Sequence, residues 1–240
     1  DHKSKGFVSG KTDLAESVKF GIVGGINHPQ VDYKAVNNSK GAWAAEPHQC
    51  MVYVSCHDNH TLYDKLKIAN PEATEEEIRK MHLLSNLVVL TSQGVPFLHA
   101  GVECMRTKGG VENSYQSPDS INRMDWDRKS KYKQHVEAYK ELIAIRKKHP
   151  SFNLRTAEEV RNGLSFLESK AGVIAYEIES PKDDVYERMV VVINGNQKAS
   201  SFKLPAGSWD MLYPSMGLSI DVVKGELAPI SGYIFAERVN

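Results

Sequence analysis

MVYVSCHDNHTLYDKL, residues 51–66, is the stretch that decides the fold of the first part of the chain. It begins with the apolar run Met51-Val52-Tyr53-Val54 and continues directly into the polar cluster Cys56-His57-Asp58-Asn59-His60. A short apolar run rich in β-branched and aromatic residues is typical of a buried strand. The stretch therefore predicts a strand over 51–55 that ends at side chains able to bind a metal, a proton or a sugar hydroxyl.

A second segment of the same kind follows after a predicted helix. Thr74 and Glu77 have the form of a capping box, and helical spacing of apolar residues continues to Gly94, which the pattern predicts as the C-cap. Residues 95–98 then predict a short buried strand that ends at the polar residues 99–103. Because the carboxyl ends of parallel strands carry the functional loops of α/β folds, we expect both polar clusters at one edge of the sheet.

After Pro150 the pattern changes to that of β-structure. Residues 174–179 alternate between apolar and other side chains, which predicts a half-buried strand, and residues 189–193 form a fully apolar strand. Further short strands are predicted at 164–168, 201–204, 209–213, 219–223 and 232–236. Several short strands separated by turn residues indicate a β-sandwich or barrel of about 90 residues.

The composition excludes several classes of partner. The 30 basic and 30 acidic side chains cancel, so the net charge does not favour nucleic acid or an anionic membrane surface. The sequence has no apolar run of the roughly 20 residues that a membrane helix needs. It opens at Asp1 without a Met, which we interpret as a piece whose targeting signal would lie upstream, so the compartment is left open. Three cysteines without a CxxC pair indicate neither a disulfide framework nor a zinc site.

Three interpretations of residues 56–60 compete on chemical grounds. A metal site would use His57, Asp58 and His60, but adjacent residues on one turn rarely point at one ion, and the HExxH spacing is missing. A structural interpretation makes His57 a core histidine and Asp58 a cap. In a sugar site, a carboxylate beside an imidazole binds vicinal hydroxyls and stabilises positive charge that develops on the ring.

Glu103, at the end of the second predicted strand, offers a further carboxylate. Neighbouring strands lie about 4.8 Å apart, so spacing alone would allow Asp58 and Glu103 to form the roughly 5 Å carboxylate pair of a retaining glycosidase.

Three motifs stand in order between residues 53 and 126. They are Tyr53-Val-Ser-Cys-His-Asp-Asn59, then Gly94-Val-Pro-Phe-Leu-His-Ala-Gly-Val-Glu103 of the form GxPxxxxGxE, and then Asn113-Ser-Tyr115 with Ser117-Pro-Asp-Ser-Ile-Asn122 and Asp125-Trp126. The first two resemble the seventh- and eighth-strand signatures of the α-amylase superfamily of glycoside hydrolases. The third resembles the more specific loop NSYxSPDxIN…DW of bacterial type I pullulanases and related debranching enzymes.

The resemblance implies roles for individual residues. It makes Asp58 the carboxylate that stabilises the transition state and His57 a hydrogen-bonding partner of the same sugar. The substrate-binding residues that it implies around the branch point are Asn59, Asn113, Tyr115 and Asn122. It makes Glu103 a supporting strand-end residue and not part of a catalytic pair.

The resemblance also implies residues that the sequence lacks. The family's nucleophile is an Asp on the fourth barrel strand and its acid/base is a Glu on the fifth, and neither motif is found in the 240 residues. The implied fold is α/β plus all-β: the C-terminal part of a (β/α)8 barrel, about its last two βα units, over residues 1–150, followed by a C-terminal β-sandwich domain over residues 151–240.

Partners and cofactors follow from the same resemblance. The implied partner is an α-glucan substrate, with no nucleic acid and no membrane. Because retaining chemistry needs both carboxylates, we expect the chain alone to be inactive, and because two barrel strands present unpaired edges, we expect self-association or pairing. No cofactor is expected; Asp119, Asp125 and Asp127 offer oxygen ligands, but they lack a recognisable calcium spacing. The alternative function is a non-catalytic carbohydrate-binding or interaction module that uses exposed aromatic residues and the sandwich.

Overall fold

The computed structural model describes residues 2–214 and 225–238. Its helices are α1 (Ala15–Ile22), α2 (Leu62–Ala69), α3 (Glu75–Thr91), α4 (Asp119–Asn122), α5 (Asp127–Lys131), α6 (Lys133–Lys148) and α7 (Ala157–Gly163). Its strands are β1 (Met51–Val52), β2 (Val95–Pro96), β3 (Leu164–Leu167), β4 (Val173–Glu179), β5 (Tyr186–Asn194), β6 (Ser200–Ser201), β7 (Trp209–Tyr213), β8 (Glu226–Leu227) and β9 (Ser231–Arg238). Single 3₁₀ turns are Phe7–Ser9, Thr12–Leu14, Pro47–Gln49, Val102–Cys104, Ser114–Gln116 and Pro150–Phe152.

Strands β1 and β2 form a parallel pair, with Met51 opposite Val95. Helices α2 and α3 lie between them in the chain, as the alternation of strand and helix signals predicts. Both strands are shorter than the predicted 51–55 and 95–98. The ladder consists of the bonds from the N–H of Val95 to the carbonyl of Cys50 and from the N–H of Phe97 to the carbonyl of Val52, both 2.9 Å. The predicted strands continue past these bonds, but the residues there have no hydrogen-bonded partner strand in the described part of the chain and are therefore not part of the ladder.

Helix α3 begins as predicted and ends two residues early. The Thr74 hydroxyl accepts from the N–H of Glu77, and the Glu77 carboxylate accepts from the N–H of Thr74 at 2.8 Å, which is a complete capping box. The helix ends at Thr91 with Ser92 as its C-cap, so the prediction of Gly94 as the cap is wrong. Gly94 instead has φ +93°, and a Cβ there would lie 2.8 Å from the Cys50 carbonyl oxygen. Its role is the close approach of the chain to β1.

The second half forms an antiparallel sheet with the strand order β3-β4-β5-β9-β7, and β6 pairs separately with β8. One face of the five-stranded sheet packs on the helices, where Leu84 and Leu87 of α3 lie against Gly232 of β9. The other face carries a smaller apolar cluster that includes Val190, Val192, Phe235 and, from β8, Leu227. Both faces of this sheet are therefore covered.

The covered second face corrects the prediction of a half-buried strand at 174–179. Ala175, expected to face solvent, is buried in the smaller cluster, while Ile174 and Tyr176 are buried on the side of the helices. Glu177 is partly exposed and Glu179 is exposed, so the predicted alternation holds at the end of the strand and is wrong at Ala175, where the covering layer reaches the sheet.

The other predicted strands are found in part. Those at 164–168, 189–193, 209–213 and 232–236 correspond to β3, β5, β7 and β9, whereas the one at 201–204 is reduced to Ser200–Ser201. The predicted strand at 219–223 lies outside the described residues. Helix α7 is an element that the sequence reading did not predict; its capping box pairs Thr156 with Glu159, a signal that was available in the sequence.

Contacts across residue 150 join the two halves. The Gln93 side chain donates to the Ser151 carbonyl and accepts from the N–H of Leu154, both at 2.9 Å and both buried. Within the first half, the guanidinium of Arg146 ties α6 to the end of α3 by donating to the carbonyls of Leu90, Ser92 and Gly94 at 2.7–2.9 Å. One apolar cluster includes residues from Phe7 to Ala236. The domain ranges 1–150 and 151–240 stay a prediction. Within the described part of the chain, no helix combines the length and hydropathy that crossing a membrane requires.

Candidate functional site

The polar cluster after β1 is an exposed turn. The side chains of His57 and Asp58 are 83% and 67% exposed, and the Nε2 atom of His57 lies 3.4 Å from Oδ1 of Asp58. Asn59 has φ +58°, a left-handed conformation that Asn adopts more readily than most residues and that turns the chain sharply. The imidazole and the carboxylate thus stand side by side with free faces toward solvent, as a sugar-binding pair requires.

The loop after β2 brings a buried histidine to this place. Burial, and after it the positive charges of Arg106, Lys108 and His57, lower the pKa of His99 to about 4. Nε2 of His99 lies 3.5 Å from Nη1 of Arg106. Because β1 and β2 pair in parallel, the loops that follow them leave the same edge of the strand pair, as predicted. His99 is neutral at pH 7, because its pKa lies well below that value.

Helix α2 anchors the long loop that follows. The buried carboxylate of Asp64 accepts from the Thr107 hydroxyl at 2.5 Å and from the N–H of Lys108 at 2.7 Å. The N-cap of α2 is Thr61, whose hydroxyl accepts from the N–H of Asp64. The sequence signature at 51–66 therefore does two things: its polar turn faces solvent, and the helix behind the turn holds the start of the next loop.

A chain of hydrogen bonds continues through this loop. The buried Lys108 ammonium donates to the Ser114 hydroxyl at 2.5 Å, and that hydroxyl donates to Oδ1 of Asn122 at 2.8 Å. Nδ2 of Asn122 donates to the carbonyls of Ser114 and Ser117 at 2.6 and 2.9 Å. Arg106 closes the loop by donating to the Asn122 carbonyl at 2.7 Å. Residues 106–122 thus form a preorganised loop, whose shape is fixed by its own hydrogen bonds.

The predicted site residues fall into two groups in the structure. His57, Asp58 and Asn59 share the exposed turn after β1, while Asn113, Tyr115 and Asn122 lie on the preorganised loop. Asn113 is exposed, and Tyr115 is 83% exposed. Asn122 differs from them, because its side-chain amide is engaged inside the loop. His99 and Arg106 connect the two groups. The charge of His57 contributes to the lowered pKa of His99, and the guanidinium of Arg106 donates to the Asn122 carbonyl.

Glu103, which the sequence assigns a supporting role, lies in the 3₁₀ turn Val102–Cys104. Burial raises the pKa of the Tyr139 hydroxyl well above its usual range, and the Glu103 charge adds to the shift. The Cys104 thiol likewise has a pKa raised by burial and then by Glu103. The carboxylate is therefore close to the core side of α6.

Sequence reasoning missed the residues that hold this arrangement, namely Asp64, His99, Arg106 and Lys108. Asp64 lies 43 positions from Thr107 in the chain, so no local pattern links them. His99 and Arg106 do lie within and beside the second motif, and their position next to a strand end was an available signal.

Two groups of side chains in the described residues have metal-ligand chemistry. One is Cys56, His57 and Asp58, and the other is His2, His60 and Glu112; in each, the ligand atoms lie within 4.8 Å of one another.

Comparison with known proteins identifies the family. Residues 118–224 match the family model described as alpha-1,6-glucosidases, pullulanase-type, C-terminal. The chain is 38% identical to a pullulanase of Bacillus subtilis (strain 168) over 204 residues, which are 85% of this chain and 27% of the relative. It is 29% identical to the chloroplastic pullulanase 1 of Arabidopsis thaliana, over 69% of this chain and 22% of that protein.

Solved structures agree. A crystal structure of the pullulanase of Paenibacillus barengoltzii in complex with maltohexaose and α-cyclodextrin aligns with a TM-score of 0.89 and 40% identity, over 99% of this chain and 36% of that one. The pullulanase of Bacillus acidopullulyticus aligns with a TM-score of 0.85 and 32% identity, over 99% and 28%. The chain thus spans about a third or less of the relatives it matches.

These relatives are glycoside hydrolases of the α-amylase family, so the class recognised from the three motifs is confirmed. Within that class, the chain belongs to the pullulanase-type enzymes and corresponds to their C-terminal region.

Proposed function

We propose that the chain is the C-terminal segment of a hydrolase that cleaves α-1,6-glucosidic branch linkages in pullulan, glycogen or starch-type α-glucans by a retaining mechanism. The observation that carries the proposal is the exposed His57–Asp58 pair at the carboxyl end of a parallel strand. The similarity to pullulanases, one of them in complex with maltohexaose, supports an α-glucan as the substrate.

Asp58 serves as a stabiliser and not as the nucleophile. Its exposed carboxylate accepts hydrogen bonds from sugar hydroxyls, and its negative charge stabilises the oxocarbenium-like transition state. His57, 3.4 Å from it, adds a hydrogen bond to the same sugar. Asn59, Asn113 and Tyr115 are free to contact neighbouring glucose units, whereas Asn122 acts through the loop that its amide holds in shape.

The proposed architecture is the end of a (β/α)8 barrel followed by a β-sandwich domain. The parallel pair β1–β2 with its polar carboxyl edge supports the first part. The five-stranded sheet, with the β6–β8 ladder packed on its second face, supports the second.

The nucleophile and the acid/base of the reaction are proposed to lie outside these 240 residues. The purified chain, incubated with pullulan, is then expected to release no reducing sugar, because retaining hydrolysis needs two carboxylates at the scissile bond. Release of reducing sugar that Asp58→Ala abolishes would refute this assignment. In the full-length protein the same substitution is expected to lower kcat by a factor of about 100 or more, on the scale of losing a transition-state contact.

An exposed apolar face on the strand pair supports pairing or self-association. Met51, Tyr53, Val95 and Phe97 are all at least 36% exposed, and the rings of Tyr53 and Phe97 are in edge contact at 6.1 Å. Light scattering of the purified chain is expected to show oligomers, and the double substitution Tyr53→Ser with Phe97→Ser to reduce them. A monodisperse monomer would contradict the proposal.

Exposed aromatic side chains favour a second candidate function, glucan binding without catalysis. Tyr115 and Trp126 are 83% and 62% exposed, and flat rings of this kind stack on sugars. Titration with maltohexaose separates the two. Binding that is lost in Tyr115→Ala and Trp126→Ala but unchanged in Asp58→Asn favours the binding module, and loss in Asp58→Asn favours the hydrolase.

A further inference from the structure

A cluster of two histidines and a glutamate lies beside the candidate site. His2 comes from the start of the chain, His60 follows Asp58 by two residues, and Glu112 belongs to the preorganised loop 106–122. Their ligand atoms all lie within 4.8 Å of one another. The imidazole rings of His2 and His60 are 5.1 Å apart and nearly perpendicular, at 88°. Three separate segments of the chain therefore converge on one small volume.

One pair of ligand atoms in the cluster has the separation that a tetrahedral ion requires. Bonds of about 2.0–2.1 Å from zinc to nitrogen or carboxylate oxygen place two tetrahedral ligands about 3.3–3.4 Å apart. Nε2 of His2 and Oε2 of Glu112 are 3.4 Å apart. Two imidazoles with one carboxylate are a donor set that zinc uses in proteins, where it leaves a fourth position for water.

His60 supplies an independent observation. Its Nδ1 atom is buried and has no hydrogen-bond partner among the described residues. A buried nitrogen without a partner is costly and calls for an explanation. A coordinated ion gives the imidazole a partner, and the carboxylate of Glu112 offsets part of the ion's charge.

Contacts outside the cluster hold the first residues of the chain in place. The ammonium of Lys65 on α2 donates to the carbonyl of His2 at 2.6 Å, and Lys5 pairs with Glu72 at 2.7 Å. The backbone at His2 is thus positioned before any ion binds, which reduces the entropy lost on binding.

We propose that His2, His60 and Glu112 bind one divalent metal ion of the zinc type. The ion joins the turn that carries Asp58 to the loop that carries Tyr115, and it ties both to the start of the chain. This assignment does not depend on the proposed hydrolase function, because it rests on the ligand geometry alone. The cluster Cys56, His57 and Asp58 is the weaker candidate, since consecutive residues on an exposed turn rarely converge on one ion.

Calorimetric titration with ZnCl2 tests the proposal in the protein expressed at its full natural length. Wild-type protein is expected to bind one more zinc ion than the variants Glu112→Gln and His2→Gln, or to bind it at least about tenfold more tightly, since even outer-shell changes cost 10–100-fold. Substitution by Co²⁺ is expected to give the intense visible absorption of a tetrahedral site in the wild type and to lose it in Glu112→Gln. Circular dichroism of each variant checks that the fold is retained.

Two control variants make the test specific. His48→Gln removes an exposed histidine outside the cluster and is expected to leave zinc binding unchanged. Cys56→Ser alters the other cluster and is likewise expected to have no effect. Zinc binding that survives Glu112→Gln and His2→Gln, that is lost only in Cys56→Ser, or that is undetectable in the wild type would overturn the proposal. Hydrolysis of glucan does not enter any of these outcomes, so the fate of the proposed function is decided separately.

Discussion

The two sheets of the molecule differ in what covers them. The five-stranded sheet has helices on one face and the β6–β8 ladder on the other, and its central strands β5 and β9 are buried on both sides. In the parallel pair β1–β2, Val52 packs against the main apolar cluster, whereas Met51 and Val95 are exposed. The five-stranded sheet therefore buries its apolar side chains within the chain, whereas the strand pair leaves an apolar surface exposed.

Two methionines give the largest expected effect and the sharpest test of this contrast. Met189 on β5 is 0% exposed, whereas Met51 on β1 is 58% exposed. Met189→Ala is expected to lower the free energy of unfolding by about 2–5 kcal/mol, because it leaves a cavity in a close-packed core. At a protein concentration low enough to keep the chain monomeric, Met51→Ala is expected to change it by less than about 0.5 kcal/mol. Urea denaturation of both variants measures this; equal losses would mean that the β1–β2 face is covered in solution.

Polar contacts hold the loop 106–122 beside the candidate site, and a substitution of Asp64 tests them. Asp64→Asn weakens the bonds to Thr107 and Lys108 and is expected to cost about 1–3 kcal/mol, the range for buried hydrogen bonds to a charged group. Hydrogen exchange in residues 106–117 is expected to accelerate. The matched control is Asp58→Asn, whose carboxylate is mostly exposed and whose loss should leave stability within about 0.5 kcal/mol.

A histidine pair on α3 and α6 gives the smallest of the three effects, a dependence of the free energy of unfolding on pH. Nε2 of His135 on α6 lies 3.1 Å from Nδ1 of His82 on α3, and burial lowers the pKa of His135 to about 4. Between pH 6.5 and 4 the unfolded chain therefore binds a proton that the folded chain does not, so stability falls as the pH falls through this window.

His135→Gln is expected to flatten that slope by up to one proton, about 1.4 kcal/mol per pH unit. Buried His99 has a lowered pKa of the same sign, so part of the slope remains. Urea midpoints between pH 4 and 7 report the change. The exposed His48 is the control: His48→Gln should leave the slope as it is, and a slope that His48→Gln removes instead would contradict the assignment.

Local patterns predicted the elements that local physics determines. The capping box at Thr74 and the apolar strand at 189–193 depend on residues close in the sequence, and the meeting of two polar loops at one sheet edge follows from two local strand signals in a βα pattern. The burial of Ala175 was not predictable in this way, because the layer that covers its face comes from Leu227 on β8 and from Phe202 and Leu204, which are far from Ala175 in the sequence. The long-range contacts that hold the candidate site together could not be predicted from local patterns either. Lys108 and Asp64 are 44 positions apart, and a metal-type cluster drawn from His2, His60 and Glu112 has no sequence spacing to recognise.

Arg146 has a consequence for the cooperativity of unfolding. Burial lowers the pKa of its guanidinium to about 10, so it remains charged at neutral pH while it satisfies the carbonyls of Leu90, Ser92 and Gly94. If α6 opened by itself, it would strip partners from buried carbonyls at the end of α3 and just before β2, at a cost in free energy for each. Helix α6, the end of α3 and the start of β2 are therefore expected to open as a single unit, so the opening of the exposed strand pair is coupled to that of two buried helices.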